Sequence, residues 1–279
     1  MIRIDGLRVT YGSLCAVDSL TLDVPRGALF GLLGPNGAGK TTTIRCIAGL
    51  VVPSAGSVTV GGVDAVAHPA EVRRRIGVVP QQLALYDELT VLQNLRVLGG
   101  VLGLSGARLA DRVEWALELA QLRPRVEARV ETLSGGMKRR LNLASSLLHG
   151  PECVICDEPT TGVDPQSRLH IFDTIRRLRA EGSTVVYTTH YMEEVEALCD
   201  RVAIIDHGRL VTAGTLRELL AGSGTPLRHS VTLRAGASGA DLAGALSAAG
   251  LDVDAVVPTP RSLEDIFLER TGHSLRDEA

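Results

Sequence analysis

Apolar and polar residues alternate with a period of two at the start of the chain. Ile2-Arg3-Ile4, Leu7-Arg8-Val9-Thr10-Tyr11 and Leu20-Thr21-Leu22-Asp23-Val24 share this pattern, ahead of the turn Pro25-Arg26-Gly27. The period predicts antiparallel strands with one buried face. Residues 28–33 are all apolar or glycine and predict a further strand. A helical pattern follows over residues 42–48, then strands over 57–60 and 76–79, the second ending at Pro80-Gln81. From 82 to 132 the spacing turns helical; residues 110–120 carry apolar positions at helical intervals, with Trp115 expected in the core. Ser134 is a good N-cap for a helix running to about His149. An apolar strand over 153–156 ends in Asp157-Glu158, a helix covers 165–180, and a strand over 184–189 ends at His190.

Between the strand at 28–33 and its helix lies Gly34-Pro35-Asn36-Gly37-Ala38-Gly39-Lys40-Thr41, with Thr42, also expected at the nucleotide, opening the helix. It fits the phosphate-binding loop G-x-x-x-x-G-K-[ST] in the context that loop requires, strand before and helix after. Glycines let the backbone turn its N–H groups onto a polyphosphate, and the helix N-terminus adds a partial positive charge. Lys40 is expected to reach the β- and γ-phosphates, and the Thr41 hydroxyl to ligate Mg²⁺. Lys40 and Lys138 are the only lysines, arginine supplying every other side-chain cation of this kind. That retention points to a compact ammonium rather than a planar fork at Lys40.

Other stretches add to the loop. Two carboxylates after a buried strand place Asp157 to orient Mg²⁺ and Glu158 to activate the attacking water. His190 closes a third strand whose end faces the same edge, where open α/β sheets bind ligands. Ser134-Gly135-Gly136 exposes backbone N–H groups at a helix start, a second phosphate-binding feature. Tyr11 ends its strand 23 residues before Gly34, where it either stacks on an adenine ring or is an edge tyrosine.

Composition narrows the classes. The chain has 279 residues, 45% hydrophobic and 22% charged, enough for one or two ordinary globular domains. A net charge of −3 gives no electrostatic case for nucleic acid. No apolar run reaches the roughly 18–20 residues of a membrane span, and Met1-Ile2-Arg3-Ile4-Asp5 is unlike a signal peptide. A cytoplasmic chain is expected, with any membrane function supplied by a partner. Cys153 and Cys156 form a C-x-x-C, but residues three apart in a strand face opposite ways, so core thiols are expected.

Taken together, Tyr11, the phosphate loop, Gln81, residues 133–137, Asp157-Glu158, His190 and Asp164 resemble the ATP-binding subunit of an ABC transporter, over residues 1 to about 220. The resemblance implies an α/β P-loop NTPase fold of the ABC type, with a mixed sheet core, an antiparallel β subdomain and a helical insert at about 82–150. It implies ATP and Mg²⁺ as cofactors, with Thr41, Gln81 and Asp157 at the metal. Tyr11 would pack on adenine, Gln81 would sense Mg²⁺ and water and link the site to the insert, Glu158 would be the catalytic base, and His190 would contact the γ-phosphate. Ser134, Gly135 and Gly136 would act on ATP held by the opposite subunit of a head-to-tail homodimer, with Asp164 at the seam. Met137 stands where the family commonly has glutamine, and Thr161-Gly162-Val163-Asp164 replaces the commoner Ser-Gly-Leu-Asp.

Within the family, residues 135–141 and 189–194 resemble ATPases of drug, antibiotic and sodium exporters, which pair with a separate integral-membrane permease. The expected place is the cytoplasmic face of the membrane, with residues 83–91 as the docking surface. An importer ATPase and a soluble ABC ATPase are the alternatives; the tail and Met137 argue against the first, and a single ATPase unit without heptads against the second. Residues 221–226 read as a linker. Residues 227–279 read as a small α+β appendage, with strands near 229–233 and 251–257 and helices over 241–249 and 262–268, for dimer or partner contact.

Overall fold

The computed structural model describes residues 1–220 and the backbone of residues 228–233 and 253–259. The linker and both helices expected in the appendage lie outside the described residues. The two expected strands appear as β11 (Arg228–Leu233) and β12 (Val253–Thr259), paired antiparallel.

The period-two stretches form β1 (Ile2–Tyr11) and β2 (Leu14–Val24). The alternation predicts two strands where β1 is one, because the register shifts between Ile4 and Leu7 while pairing continues. With β4 (Ala55–Val60) and β5 (Val63–Asp64) they make a four-stranded antiparallel sheet, β2-β1-β4-β5. The second sheet has six strands. β3 (Leu29–Leu33), β6 (Ile76–Val79), β7 (Cys153–Asp157), β8 (Thr184–Thr189) and β9 (Arg201–Asp206) run parallel in the order β9-β3-β8-β7-β6. β10 (Arg209–Thr215) is an antiparallel edge beside β9. Every residue of β3, β7 and β8 is buried, as a strand covered on both faces requires.

Helix α1 (Lys40–Ile47) packs between the two sheets, and α2 (Pro69–Arg75) leads into β6. The insert holds α3 (Val91–Val101), α4 (Gly106–Ala120) and α5 (Gly135–Ser145). α6 (Pro165–Ala180) precedes β8, α7 (Met192–Leu198) precedes β9, and α8 (Leu216–Leu220) follows β10. One apolar core lies between the six-stranded sheet and α3–α7; the other fills the space between the sheets. Cys156 belongs to the first and Cys153 to the second, so the C-x-x-C pair does face opposite ways, and burial pushes both thiols up to about 12.

Three expectations shift. α5 ends at Ser145, with turns carrying the chain to His149. Residues 82–90 form no regular element. Trp115 is half-buried, packed against the edge of the first core, with the Arg112 guanidinium 3.9 Å above its ring.

Candidate active site

The central strands end level. Leu33 pairs with Thr189 across β3 and β8, and Asp157 pairs with Thr188 across β7 and β8. Gly34, Glu158 and His190, each one residue past its strand, therefore share one sheet edge, and Gln81 follows β6 by two residues. This is the edge where parallel sheets present ligands.

Gly37 and Gly39 have φ of +79° and +98°. At Gly39 a Cβ would also sit 2.6 Å from the Ala16 carbonyl oxygen, so conformation and close approach both require glycine. The turn opens a pocket of about 370 Å³ lined by Tyr11, Leu14, Ala16, Asn36, Gly37, Ala38, Gly39, Lys40, Thr41, Thr42, Gln81 and Glu158. Tyr11 and Leu14 pair across β1 and β2 and are both exposed, so an aromatic face is offered at the pocket.

Lys40 is buried. Its ammonium donates to the carbonyls of Gly34 at 2.7 Å and Pro35 at 3.0 Å, and lies 3.3 Å from Glu158 Oε1. Glu158 Oε2 accepts from Gln81 Nε2 at 3.1 Å, and His190 Nδ1 approaches Oε1 to 3.4 Å. The His190 ring lies against Tyr191, centroids 4.1 Å apart. Asp157 accepts from Thr41 Oγ1 at 3.1 Å and from Thr188 Oγ1 at 2.7 Å. A hydroxyl and a carboxylate facing each other, with the Gln81 amide nearby, are hard oxygen donors of the kind Mg²⁺ takes alongside phosphate and water.

The remaining sequence candidates form a second cluster. Ser134 Oγ caps α5 by accepting from Met137 N at 3.3 Å. Ser134 and Gly135 are exposed and do not line the 370 Å³ pocket. Gly136 is buried against the start of α6, where Asp164 accepts from Ser167 N at 2.9 Å, and that amide holds the Asp164 carboxyl below its ordinary range.

Several positioning residues escaped the sequence reading. Asn94 is fully buried and pins Tyr86 through both its N–H and its carbonyl, while Asn142 accepts from Ala84 N at 2.9 Å. The segment after Gln81 is held to α3 and α5 by these amides. Glu194 on α7 accepts from Thr160, Tyr187 and Thr189 hydroxyls at 2.7–2.8 Å. Arg139 on α5 reaches the carbonyls of Pro80, Gln81 and Glu158. The available signal was a polar side chain on a helix face that spacing assigns to the core: residues 136, 139 and 142 share one face of α5 and are all buried.

Comparisons with known proteins bear on the family and the fold. The family model described as "ABC transporter" matches residues 17–161. The linearmycin resistance ATP-binding protein LnrL of Bacillus subtilis (strain 168) is 46% identical over 219 residues, 78% of this chain and 70% of that protein. The daunorubicin resistance ATP-binding protein DrrA3 of Streptomyces coeruleorubidus is 43% identical over 253 residues, 91% of this chain and 80% of that protein. Among solved structures, a dimeric post-hydrolysis state of the ATP-binding cassette MJ0796 bound to ADP and Pi superposes with a TM-score of 0.71 at 26% identity, covering 78% of this chain and 99% of that one. The glycine cradle, the two strand-end carboxylates and these matches make this chain a member of the ABC transporter family, an ATP-binding and ATP-hydrolysing subunit of a transporter.

Proposed function

We propose that the chain powers export: two copies close head to tail on two ATP molecules, and hydrolysis reopens them. The observation that carries this reading is the split of the phosphate-binding features. Gly37, Gly39, Lys40 and Thr41 line the pocket, whereas Ser134 and Gly135 offer a helix N-terminus to solvent, away from it. A phosphate for that second N-terminus comes from another copy.

In the closed pair, Tyr11 stacks on adenine, and the backbone of residues 34–42 cradles the phosphates. The β- and γ-phosphates draw Lys40 away from Glu158. The freed carboxylate accepts a proton from water as its oxygen adds to the γ-phosphorus and the bond to ADP breaks. Gln81 orients that water and His190 contacts the γ-phosphate. Thr41, Asp157 and Gln81 would hold Mg²⁺, which would offset phosphate charge when bound. Ser134, Gly135 and Gly136 bind the partner's ATP, with Asp164 at the seam.

Among the described residues no helix is long and apolar enough to cross a membrane. We place the chain on the cytoplasmic face, against a separate integral-membrane permease. An apolar groove of about 370 Å³ has Leu50, Val101, Leu102 and Ala84 in its wall, and the exposed Leu83 and Tyr86 flank Ala84 in sequence. Leu89 is half-buried, so the docking surface is Leu83, Tyr86 and this groove. The relatives named for linearmycin and daunorubicin resistance support an exporter. The appendage beyond residue 226 serves dimer or partner contact.

The test is Glu158→Gln. It binds ATP, loses turnover by about 10²–10⁴-fold and elutes as an ATP-dependent dimer in size-exclusion chromatography. Turnover at the wild-type rate, or a monomer at saturating ATP, removes the proposal.

A further inference from the structure

Arg139 is 4% exposed and runs from α5 to the floor of the nucleotide site. Nη1 donates to the carbonyls of Pro80 at 3.2 Å and Gln81 at 2.6 Å, and Nη2 to that of Glu158 at 3.0 Å. Burying a cation among neutral carbonyls costs free energy that an apolar residue on the same helix face would not. The carbonyls it holds belong to the water-orienting glutamine, its neighbour, and the base. A planar guanidinium can bridge such a set with fixed geometry; a lysine ammonium cannot.

The Glu158 backbone needs such a hold. Its φ of +46° lies in the left-handed region, a strained conformation for a residue that bears a side chain. Its N–H donates to Thr188, at 3.2 Å to the carbonyl and 3.1 Å to the hydroxyl. Its carbonyl accepts from Arg139. The base is thus pinned on one side by β8 and on the other by α5, whose exposed N-terminus is Ser134-Gly135.

We propose that Arg139 is a positioning residue that sets Gln81 and Glu158 according to where α5 sits, so that each site is aligned by the helix that grips the opposite nucleotide. This rests on Glu158 being the base. When a phosphate engages the α5 N-terminus, the helix carries the guanidinium with it, and the backbones of Gln81 and Glu158 follow. Arg139 does not line the nucleotide pocket, so its loss lowers turnover and leaves nucleotide affinity intact.

The full chain carrying Arg139→Met, Arg139→Lys, Glu158→Gln, or Arg139→Met with Glu158→Gln is assayed for steady-state ATPase, trinitrophenyl-ATP binding and thermal unfolding. Arg139→Met lowers kcat by about tenfold or more while KM and the nucleotide Kd stay within about twofold. Arg139→Lys, which keeps charge and one hydrogen bond, falls between. In the Glu158→Gln background Arg139→Met removes much less turnover than in the wild-type chain, because one of the two groups it sets is already lost. Affinity loosening in step with kcat, unchanged kcat, or independent losses in the double variant overturns the inference. If Arg139→Met does not fold, Arg139→Lys decides by the same split. Wild-type turnover in Glu158→Gln alone removes the base and this inference together; an inactive Glu158→Gln beside a fully active Arg139→Met removes only the inference.

Discussion

Gly135 and Gly136 are neighbours, and glycine stands at each for a different reason. A Cβ on Gly136 would fall 2.7 Å from the Ser167 Cβ and 2.8 Å from Asp164 Oδ2. Gly136→Ala therefore drives the starts of α5 and α6 apart and costs about 1–3 kcal/mol by overpacking. A Cβ on Gly135 meets nothing within 4 Å in the protomer, so Gly135→Ala adds no clash and gains up to about 1 kcal/mol of helix propensity. Under the head-to-tail reading, Gly135 is glycine because the partner's nucleotide approaches it. Urea unfolding shows Gly136→Ala less stable and Gly135→Ala at least as stable as wild type. In the Glu158→Gln background, Gly135→Ala fails to dimerise with ATP. A Gly135→Ala chain that dimerises normally leaves no role for that position at the nucleotide.

Elements carry the second argument, at the junction of β8, α7 and the loop after β7. Glu194 is 3% exposed and is the shared acceptor for Thr160, Tyr187 and Thr189. Glu194→Ala strands three buried hydroxyls, each worth about 1–3 kcal/mol if unsatisfied, less what Thr160 and Tyr187 recover from each other at 3.2 Å. The expected loss is about 3 kcal/mol, read as a lower urea midpoint at unchanged slope, with Glu194→Gln losing less. An unchanged midpoint in Glu194→Ala would show that water satisfies the network. None of these partners was legible in the chain. Strand β3, the glycine turn and α1 are contiguous, so Gly34 to Thr42 could be read without knowing the fold; β7 announces itself by the apolar run over residues 153–156, and β8 by its β-branched and aromatic residues. Arg139 meets residues nearly sixty positions away, and Asn142 meets Ala84. Periodicity assigns such positions to a buried face but does not say which carbonyl waits there. The same limit explains α5: Ser145 and Ser146 turn their hydroxyls back to the Asn142 carbonyl, and the helix closes earlier than its apolar continuation Leu147-Leu148 implies.

At the scale of the molecule, the stretch from Gln81 to Ala84 joins the nucleotide pocket to the apolar groove. Gln81 meets Glu158 on one side, and the following segment, pinned at Ala84 and Tyr86 by Asn142 and Asn94, runs to the apolar groove on the other. Val101 is 77% exposed, Leu50 65% and Tyr86 49%, large apolar groups in or near the wall of this groove. Leu83, Tyr86 and Val101 stand outside both apolar cores, so charged substitutions there cost little folding free energy, within about 0.5 kcal/mol each. The triple variant Leu83→Glu, Tyr86→Glu, Val101→Glu is expected to fold, bind ATP and hydrolyse it in isolation at close to the wild-type rate. In its host it no longer sediments with the membrane fraction, because a desolvated apolar contact cannot take three carboxylates. A variant that still sediments with membranes moves the permease contact elsewhere on the chain. One that leaves the membrane and also loses isolated ATPase activity shows instead that the segment after Gln81 supports catalysis directly.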